Sequence, residues 1–411
     1  MKQAPSSPVR GGGRRLGLVA STLRGQERKL PPTTMTRLLL LAAAFLLGLT
    51  APAAADSCGK PQSIGDGWTL AAPEEVGVDG AKLCDFATFL KQWPTANIHA
   101  VVVVRRGKLV AEHYLSGEDI RFNDEKLGVM QFTPTTKHDL RSISKSVTSL
   151  LVGIALSEGK YPRLESAAID FFPEYASLRT PENAKITLRD LLTMAHGWKW
   201  NEGVAWRSPD NTERPMFEAT DPYRFIWEQP VIVPPGTLFN YSGGATTLLG
   251  GVLAKAAGRK IDDYAREKLF GPLAITDFEW LDFENSKEIA AFAGLRLRPR
   301  DLAKIGQIMV SGGLWNGRRV LPEGWVAESI KPRLNADGIF FYGYQWWLGR
   351  TLYRGRSVDW IGGIGNGGQR LYIVPELDLV VAVNAAHYGN PLQGIIPYAI
   401  FSRFVLPAIR D

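Results

Sequence analysis

The sequence predicts an α/β (α+β) fold in which an antiparallel sheet, built from both chain ends, is flanked by helices. A mainly helical domain is inserted between the two halves of the sheet. Two observations predict the sheet, a hairpin pattern near each end of the chain, and a third predicts the insertion, the helical spacing of apolar residues between them.

The two hairpin patterns have the same form. "HAVVVVRRGKLVAEHYL" has strands at 100–104 and 109–114 around the turn residues Arg106 and Gly107. "RLYIVPELDLVVAVNA" has strands at 371–374 and 379–383 around a turn that begins at Pro375.

The middle of the chain has helical periodicity instead. The apolar spacing predicts helices over 182–197, 245–257 and 261–273. A further helix is predicted over 299–313, with Asp301 in its first turn and Gly312 past its end, and a helix-like stretch closes the chain. The pattern divides the chain into residues 1–55 as an N-terminal extension with a signal peptide, 56–155 plus 290–411 as the sheet domain, and 156–289 as the inserted helical domain.

The N-terminal extension carries the whole charge excess. The 411 residues have a net charge of +7, and residues 1–55 hold eight basic residues against one acidic residue. The rest of the chain is therefore about neutral, which gives no case for nucleic-acid binding.

A secretory signal peptide is predicted to begin at Met35. Arg37 forms a basic start, 38–49 is apolar, and Ala53-Ala54-Ala55 is a cleavage site of the A-x-A type. The apolar stretch is short for a membrane span of about 20 residues. We therefore expect a secreted or periplasmic chain cut near Ala55, with a retained anchor as the alternative.

The two cysteines, Cys58 and Cys84, both lie near the expected mature N-terminus. In an exported protein they can pair, and two free thiols are the alternative.

"RSISKSVTSLLVGIAL" contains the spacing S-x-x-K at Ser142 and Lys145. The apolar run that follows predicts a buried helix, whose first turn would place Lys145 on the same face as Ser142. The helix start offers free N–H groups and the positive end of the dipole, as acyl transfer needs for an oxyanion. We expect burial to lower the pKa of Lys145, so that a neutral amine accepts the Ser142 proton. The alternative is a helix cap beside a solvated lysine.

The same spacing occurs twice more, at Ser57 and at Ser157. Ser57 lies beside the expected cleavage site, and Ser157 lies at the end of the apolar helix with Gly159 as its cap. Neither position favours a buried nucleophile.

Two later stretches supply partners for Ser142. Tyr241, in "PPGTLFNYSGG", follows a Pro-Gly turn and precedes an apolar helix. In this position its hydroxyl can relay a proton, and a tyrosine of the core is the alternative. "WIGGIGNGGQRLYIV" matches the dinucleotide pattern G-x-G-x-x-G at Gly363, Gly365 and Gly368, but a strand and Pro375 follow where that site needs a helix. The glycines instead indicate a close approach of backbone or ligand.

The order of these motifs resembles the serine β-lactamase and penicillin-binding superfamily. The likeness is greater to its class C-like branch of esterases and 6-aminohexanoate-dimer hydrolases, and it covers nearly all of 60–405. The resemblance implies a β-lactamase/transpeptidase-like fold. It also implies that Ser142 is the acylated nucleophile, Lys145 its general-base partner and Tyr241 the motif tyrosine. The backbone N–H groups of Ser142 and of one residue in 365–367, with Asn366 the best match, correspond to the oxyanion hole.

Two departures bear on the substrate. Gly243 stands where class C β-lactamases have the Asn of Tyr-x-Asn, and their K-T-G is missing, since Gly363-Ile364-Gly365 or a near neighbour replaces it. The usual cation for a β-lactam carboxylate is therefore gone, and small esters or linear amides are the expected substrates.

Other chemistries receive little support. The five histidines have no H-E-x-x-H or paired metal spacing, so no metal and no cofactor are expected, and there is no G-x-S-x-G. His196 is expected to be structural. The loop "HGWKWNEGVAW", which contains Glu202, either shapes substrate binding or serves packing.

We therefore expect an exported serine hydrolase of the carboxylesterase or amidase type, acting on a small-molecule ester or amide through an acyl-enzyme. The alternatives are a non-hydrolytic penicillin-binding or sensor protein on the same scaffold, and a weak β-lactamase. No nucleic-acid partner and no stable membrane span of the mature chain are expected, and the sequence does not indicate an oligomeric state.

Overall fold

The computed structural model describes residues 60–410, apart from the side chain of Pro94, and they belong to one compact unit. The predicted signal peptide and Cys58 lie outside these residues. Cys84 is disulfide-bonded, and Cys58 is the only other cysteine in the chain.

An eight-stranded antiparallel sheet forms the centre of this unit, in the order β10-β11-β12-β13-β14-β15-β1-β2. Smaller sheets pair β3 with β4, β7 with β5 and β6, and β8 with β9. The strands are β1 Ile98–Arg105, β2 Lys108–Tyr114, β3 Ser116–Ile120, β4 Lys126–Gln131, β5 His138–Asp139, β6 Glu279–Trp280, β7 Leu295–Leu297, β8 Leu314–Trp315, β9 Arg318–Arg319, β10 Leu334–Asp337, β11 Phe340–Tyr342, β12 Trp347–Tyr353, β13 Arg356–Gly365, β14 Gln369–Val374 and β15 Leu379–Ala385.

Both predicted hairpins are confirmed, and they meet inside the large sheet. β1 pairs with β2 on one side and with β15 on the other, so the two chain ends form one continuous ladder. All eight residues of β1 are buried, and its side chains alternate between two cores. Val102 and Val104 belong to the larger core, whereas Val101 and Val103 belong to the smaller one on the opposite face. The run of valines thus reflects a sheet covered on both faces.

The helices lie on both sides of the sheet. They are α1 Gly80–Gln92, α2 Ile143–Ser157, α3 Leu188–Leu192, α4 Glu213–Glu218, α5 Pro222–Trp227, α6 Gly243–Ala257, α7 Ile261–Ala265, α8 Pro299–Val310, α9 Trp325–Ser329, α10 Leu392–Ala399 and α11 Leu406–Ala408. Single π-helical turns extend α7 over Arg266–Phe270 and join α10 to α11 over Ile400–Val405.

The predicted helix over 182–197 is wrong in extent. A 3₁₀ turn covers Asn183–Lys185, and α3 lasts only from Leu188 to Leu192. Thr187 starts α3 by accepting a hydrogen bond from the Asp190 backbone N–H, so the chain cannot enter it from a preceding helix. Met194 has a φ of 61°, which a right-handed helix does not allow. Local capping thus overrides the apolar periodicity.

Helix α2 lies between the large sheet and the helical region, where it packs against β13, β14 and α6. Residues 143–155 are all buried, so the helix has no solvent face over most of its length. On residues 60–410, no helix is long and apolar enough to cross a membrane. The division into a sheet domain and an inserted helical domain stays a prediction; the stretch 156–289 contributes only the two-residue strand β6 to the strands given above.

Candidate active site

Ser142 lies at the start of α2, on a turn that is held by side-chain hydrogen bonds. Arg141, directly before it, has a φ of 51°, which is uncommon for a residue other than glycine. The Arg141 backbone N–H donates to Asp139 Oδ1 at 2.9 Å and fixes this conformation. The neighbouring hydroxyls are used in local bonds, because Ser144 donates to the Arg141 carbonyl and Ser146 to the Gln345 carbonyl, each at 2.7 Å.

Lys145 is the partner of Ser142. Its side chain is buried, and its Nζ donates to Ser142 Oγ at 3.1 Å and to the Phe292 carbonyl at 3.3 Å. The other described S-x-x-K pair differs, because Ser157 donates to the Ile154 carbonyl and Lys160 pairs with Glu158 at the surface. Ser57 lies outside the described residues.

The expectation of a lowered Lys145 pKa is wrong. Burial does lower the pKa of Lys145, but Tyr241, Glu202 and Glu213 outweigh it and leave the pKa above its ordinary value. The acidic neighbours, which lie far from Lys145 in the sequence, outweigh the loss of water. Lys145 is therefore an ammonium in the resting site, which is consistent with its donation to Ser142 Oγ.

Glu202 and Glu213 form a carboxyl pair beside this ammonium. Glu213 Oε1 lies 3.8 Å from Lys145 Nζ. Glu202 accepts from Trp200 Nε1 at 2.7 Å and from the Gly243 backbone N–H. Burial raises the pKa of both carboxyl groups, and the charge of Glu202 raises the pKa of Glu213 further, to about 8. Lys145 and the two N–H donors act against this rise at Glu202, so at neutral pH the proton of the pair lies on Glu213 and the negative charge on Glu202.

Sequence reasoning found only half of this pair. Glu202 belongs to the aromatic-rich loop expected either to shape substrate binding or to serve packing, and Glu213, the first residue of α4, was missed altogether. No spacing relates Glu213 to Lys145, since the two lie on different helices far apart in the chain. The one feature of the sequence that points to Glu213 is Gly243, which stands in place of the Asn of Tyr-x-Asn. A Cβ on Gly243 would lie 2.7 Å from Glu213 Oε1 and 2.8 Å from Phe292 Cδ2, so the carboxyl pair occupies the space of that side chain.

Tyr241 lies over Lys145, whose Nζ is 4.8 Å from the centre of the tyrosine ring. Burial raises the pKa of Tyr241, against the opposite effects of the Lys145 charge and of a hydrogen bond with Ser142. The phenol is therefore neutral in the resting site. The following Ser242 caps α6 by accepting from the Ala245 backbone N–H at 3.2 Å, which places Tyr241 directly before the capping residue of the helix.

The glycine-rich strand β13 lies against the turn that carries Ser142. A Cβ on Gly363 would lie 2.9 Å from Ile143 Cγ2, and one on Gly365 would overlap the Leu140 carbonyl oxygen. Glycine at these two positions is what allows the close approach. Asn366 comes directly after β13, in the connection to β14. The G-x-G-x-x-G residues thus join two antiparallel strands, which is unlike a dinucleotide site.

Aromatic side chains line the other side of Tyr241. Its ring centre is 5.6 Å from that of Trp347 and 6.3 Å from that of Phe239, and Phe239 is 5.1 Å from Tyr342. Leu238 beside them is 58 % exposed. The site therefore has one charged wall and one apolar wall.

His196 has a structural position in the loop that supports Tyr241. Its Nε2 donates to the Asn240 carbonyl oxygen at 2.8 Å, and its Nδ1 accepts from the Trp198 backbone N–H at 3.0 Å. Burial lowers the pKa of His196 to about 4, so the ring is neutral and both of its nitrogens are used.

Comparisons with known proteins show what this chain is similar to in sequence and in fold. The chain is 23% identical over 313 residues to the 6-aminohexanoate-dimer hydrolase of Paenarthrobacter ureafaciens, which covers 71% of this chain and 73% of that protein. A solved structure from Bacillus anthracis, assigned as a 6-aminohexanoate-dimer hydrolase, has a TM-score of 0.62 at 20% identity over 77% of this chain and 80% of that one. The hydrolase EstCE1, described as having promiscuous acyltransferase activity, has a TM-score of 0.60 at 15% identity over 78% and 99%.

A class C β-lactamase has a TM-score of 0.57 at 16% identity over 78% of this chain and 95% of that one. These structural likenesses, all below 25% identity, establish the fold: helices packed on an antiparallel sheet from both chain ends. The family model described as Beta-lactamase matches residues 96–401. The chain belongs to the Beta-lactamase family, whose scaffold is that of a serine hydrolase.

Proposed function

We propose that the chain is an exported serine hydrolase that cleaves small esters or linear amides through an acyl-enzyme on Ser142. The observation that carries the proposal is the 3.1 Å contact between Lys145 Nζ and Ser142 Oγ at the start of a buried helix. This contact joins a hydroxyl, a titratable amine and the free N–H groups of a helix start in one place.

Lys145 and Tyr241 act together as the base. In the resting site both are protonated, so the pair must lose one proton before it can accept another. Whichever of the two gives up that proton, the pair then takes the Ser142 proton while Oγ bonds to the substrate carbonyl carbon. The proton passes to the departing alkoxide or amine as the carbon–oxygen or carbon–nitrogen bond breaks. Water then attacks the acyl carbon and gives a proton to the Lys145–Tyr241 pair. As the bond from this carbon to Ser142 Oγ breaks, the pair returns the proton to Oγ, which releases the acid and restores the Ser142 hydroxyl.

The negative oxygen that forms during each attack needs hydrogen-bond donors. The proposed donors are the backbone N–H of Ser142 and one from residues 365–367, with Asn366 the best match. The close packing of Gly363 and Gly365 on 140–143 supports a donor from this part of the chain, because it holds the end of β13 against the nucleophile turn.

The two walls of the site support esters and linear amides as substrates. The apolar wall of Phe239, Tyr342 and Trp347 suits an uncharged acyl or alkyl group. Strand β13 has no lysine, and its one cation, Arg356, lies at its first residue, where it pairs with Glu376. A β-lactam carboxylate therefore has no cation to meet on this strand.

A substrate panel tests the proposal. The purified chain should turn over short-chain p-nitrophenyl esters or linear amides of 6-aminohexanoate type, and it should leave nitrocefin nearly unchanged. One round of acylation that stops without turnover would favour the sensor alternative, and rapid nitrocefin hydrolysis would favour a β-lactamase. Either result would overturn the proposed substrate class.

Export is a separate part of the proposal and rests on the segment that begins at Met35. N-terminal sequencing of the protein recovered from the periplasm or medium should find Asp56 as the first residue. Recovery of the uncleaved chain from the cytoplasm would contradict it.

A further inference from the structure

A second cluster of reactive side chains lies on the strands that lead to Ser142. His99 on β1, Asp119 on β3 and His138 on β5 bring three ligand-type atoms within 4.8 Å of one another. Both histidines are 0 % exposed, and Asp119 is 1 % exposed. In the stretch 60–410, this is the one group of three or more His, Cys, Asp or Glu side chains arranged so closely.

The outward hydrogen bonds of the two rings show where their protons are. His138 Nδ1 lies 2.9 Å from the carbonyl oxygen of Asp139, which can only accept, so Nδ1 carries a hydrogen. His99 Nε2 lies 3.0 Å from Asn97 Oδ1. The Asn97 amide is oriented by its nitrogen, which donates to two backbone carbonyl oxygens at 3.1 and 3.3 Å, so its oxygen faces His99. His99 Nε2 therefore also carries a hydrogen.

The inward nitrogens are consequently both unprotonated when the rings are neutral. His99 Nδ1 and His138 Nε2 face each other at 2.8 Å. Two lone pairs at this distance repel unless a cation lies between them, and that cation is either an additional proton or a metal ion. Imidazoles bound to a metal almost always donate their other N–H to a carbonyl, carboxylate or water oxygen, and both rings here donate to a carbonyl oxygen.

The carboxylate of Asp119 shows which of the two cations, a proton or a metal ion, suits the space between the rings. Asp119 Oδ1 lies 3.8 Å from His138 Nε2 and accepts from the Tyr388 hydroxyl at 2.9 Å. Asp119 Oδ2 is buried, no side chain of the described residues donates to it, and only the Ile120 backbone N–H adds to the Tyr388 hydroxyl as a donor near this carboxylate. A buried carboxylate oxygen without a well-placed donor is costly, and a proton shared by the two rings gives this oxygen none. A metal ion satisfies the carboxylate and both lone pairs at once.

We propose that His99, Asp119 and His138 bind one divalent transition-metal ion, and that Zn²⁺ fits these donors best. Imidazole nitrogen and carboxylate oxygen are both ligands that Zn²⁺ takes in proteins. Two nitrogens on one tetrahedral Zn²⁺ are about 3.3 Å apart, so the 2.8 Å separation must open by about half an ångström. Gly117 keeps the outer side of His99 free, because a Cβ there would lie 2.6 Å from His99 Nε2.

The position of the site indicates a structural role. The ion joins β1, β3 and β5 just before the turn that carries Ser142. Next to His138, Asp139 accepts from the backbone N–H groups of Arg141 and Phe122, each at 2.9 Å, and so links the site to that turn. The three side chains leave one of the four tetrahedral positions of Zn²⁺ to a water molecule. Because the three side chains are buried, the ion supports the nucleophile turn and does not meet substrate.

Metal titration of the full chain, purified without a metal-binding tag and stripped with a chelator, tests this proposal. Isothermal titration with Zn²⁺ should give saturable one-to-one binding, and Co²⁺ should give visible absorption bands of a nitrogen- and oxygen-bound ion. A hundredfold excess of Zn²⁺ over its dissociation constant should raise the melting temperature by about 3–6 °C.

Two variants and a matched control make the result specific. Asp119→Asn keeps the shape of the carboxyl group, and His99→Gln removes one nitrogen ligand; each should weaken Zn²⁺ binding at least tenfold with the circular dichroism spectrum retained. His113→Gln changes a histidine on β2 outside the cluster and should bind as the parent chain does. A parent chain that is folded but does not bind Zn²⁺ or Co²⁺ overturns the proposal. So does NMR detection of three ring N–H protons on the two histidines in the presence of Zn²⁺, because the cation is then a proton. None of these measurements depends on hydrolysis, so they are independent of the proposed function.

Discussion

Replacing both Glu202 and Glu213 by glutamine should move the acidic limb of the pH–activity profile, on which activity rises with pH, to lower pH. The two carboxyl groups hold one negative charge beside the Lys145 ammonium and raise its pKa. Without that charge the ammonium is less stable in its buried position, so the Lys145–Tyr241 pair loses its proton at lower pH. The active form then appears at lower pH.

The size of the shift follows from the geometry. Unit charges at the 3.8 Å between Lys145 Nζ and Glu213 Oε1 interact by about 4 kcal/mol at an effective dielectric constant of about 20. Opposite charges about 4–6 Å apart commonly move a pKa by about 1–3 units. We therefore expect the acidic limb of kcat/KM to move down by about 1–3 pH units in the double variant.

The two single variants test whether the carboxyl groups share one negative charge or whether each contributes a charge of its own. In Glu213→Gln, Glu202 keeps its charge. In Glu202→Gln, Glu213 loses the neighbouring charge that helps to raise its pKa, so its pKa falls and it takes over part of the negative charge. Each single variant therefore keeps negative charge near Lys145 and shifts the profile less than the double variant does.

Rates on a p-nitrophenyl ester between pH 5 and 10 measure these shifts, with kcat/KM reporting the free enzyme. Glu218→Gln, which lies on the same helix and pairs with Arg214 at the surface, is the matched control and should leave the profile unchanged. A folded double variant whose acidic limb stays in place, or moves to higher pH, would refute the reasoning.

Three further changes have defined outcomes. Tyr241→Phe removes the relay hydroxyl and should lower kcat by about 10²–10⁴-fold, with an unchanged melting temperature. Gly153→Ala places a methyl group against the Trp325 ring and should destabilise the fold by about 1–3 kcal/mol in urea unfolding; an unchanged midpoint would mean that the ring moves aside. Arg300→Met leaves the buried carboxylate of Glu112, 2.6 Å from Arg300 Nε, without its cation and should cost about 3–5 kcal/mol, measured in the same way.

The parts of the fold that could be predicted are those with a local signal. The hairpins formed by β1 with β2 and by β14 with β15 have strand-type runs on both sides of a turn. The helix over 182–197 failed because capping by Thr187 and the positive φ of Met194 decide its ends, and apolar spacing does not report on either.

The residues of the candidate site also differ in whether they have a local signal in the sequence. The spacing of Ser142 and Lys145 within one helical turn is visible in the sequence, whereas the role of Tyr241 needed the resemblance to a known family. Glu213 could not be found, because its approach to Lys145 depends on how α4 packs against α6, which in turn packs against α2. The wrong direction for the Lys145 pKa follows directly from this omission.

The histidine cluster had no signal in the sequence either. The expectation of no metal rested on the missing pair spacing, and His99 and His138 are 39 positions apart. Only the placement of β1, β3 and β5 brings their nitrogens to 2.8 Å and adds the carboxylate of Asp119. Spacing rules detect ligands on one element, and these three lie on separate strands.

Labelling with a fluorophosphonate probe tests the central claim most directly. Intact-mass analysis of the parent chain should find one adduct, located on Ser142 by peptide mapping. Ser142→Ala should take up no label, whereas Ser157→Ala, which removes the serine of the other S-x-x-K pair on this helix, should be labelled at the parent rate. Equal labelling of Ser142→Ala and the parent chain would contradict the assignment of Ser142 as the nucleophile.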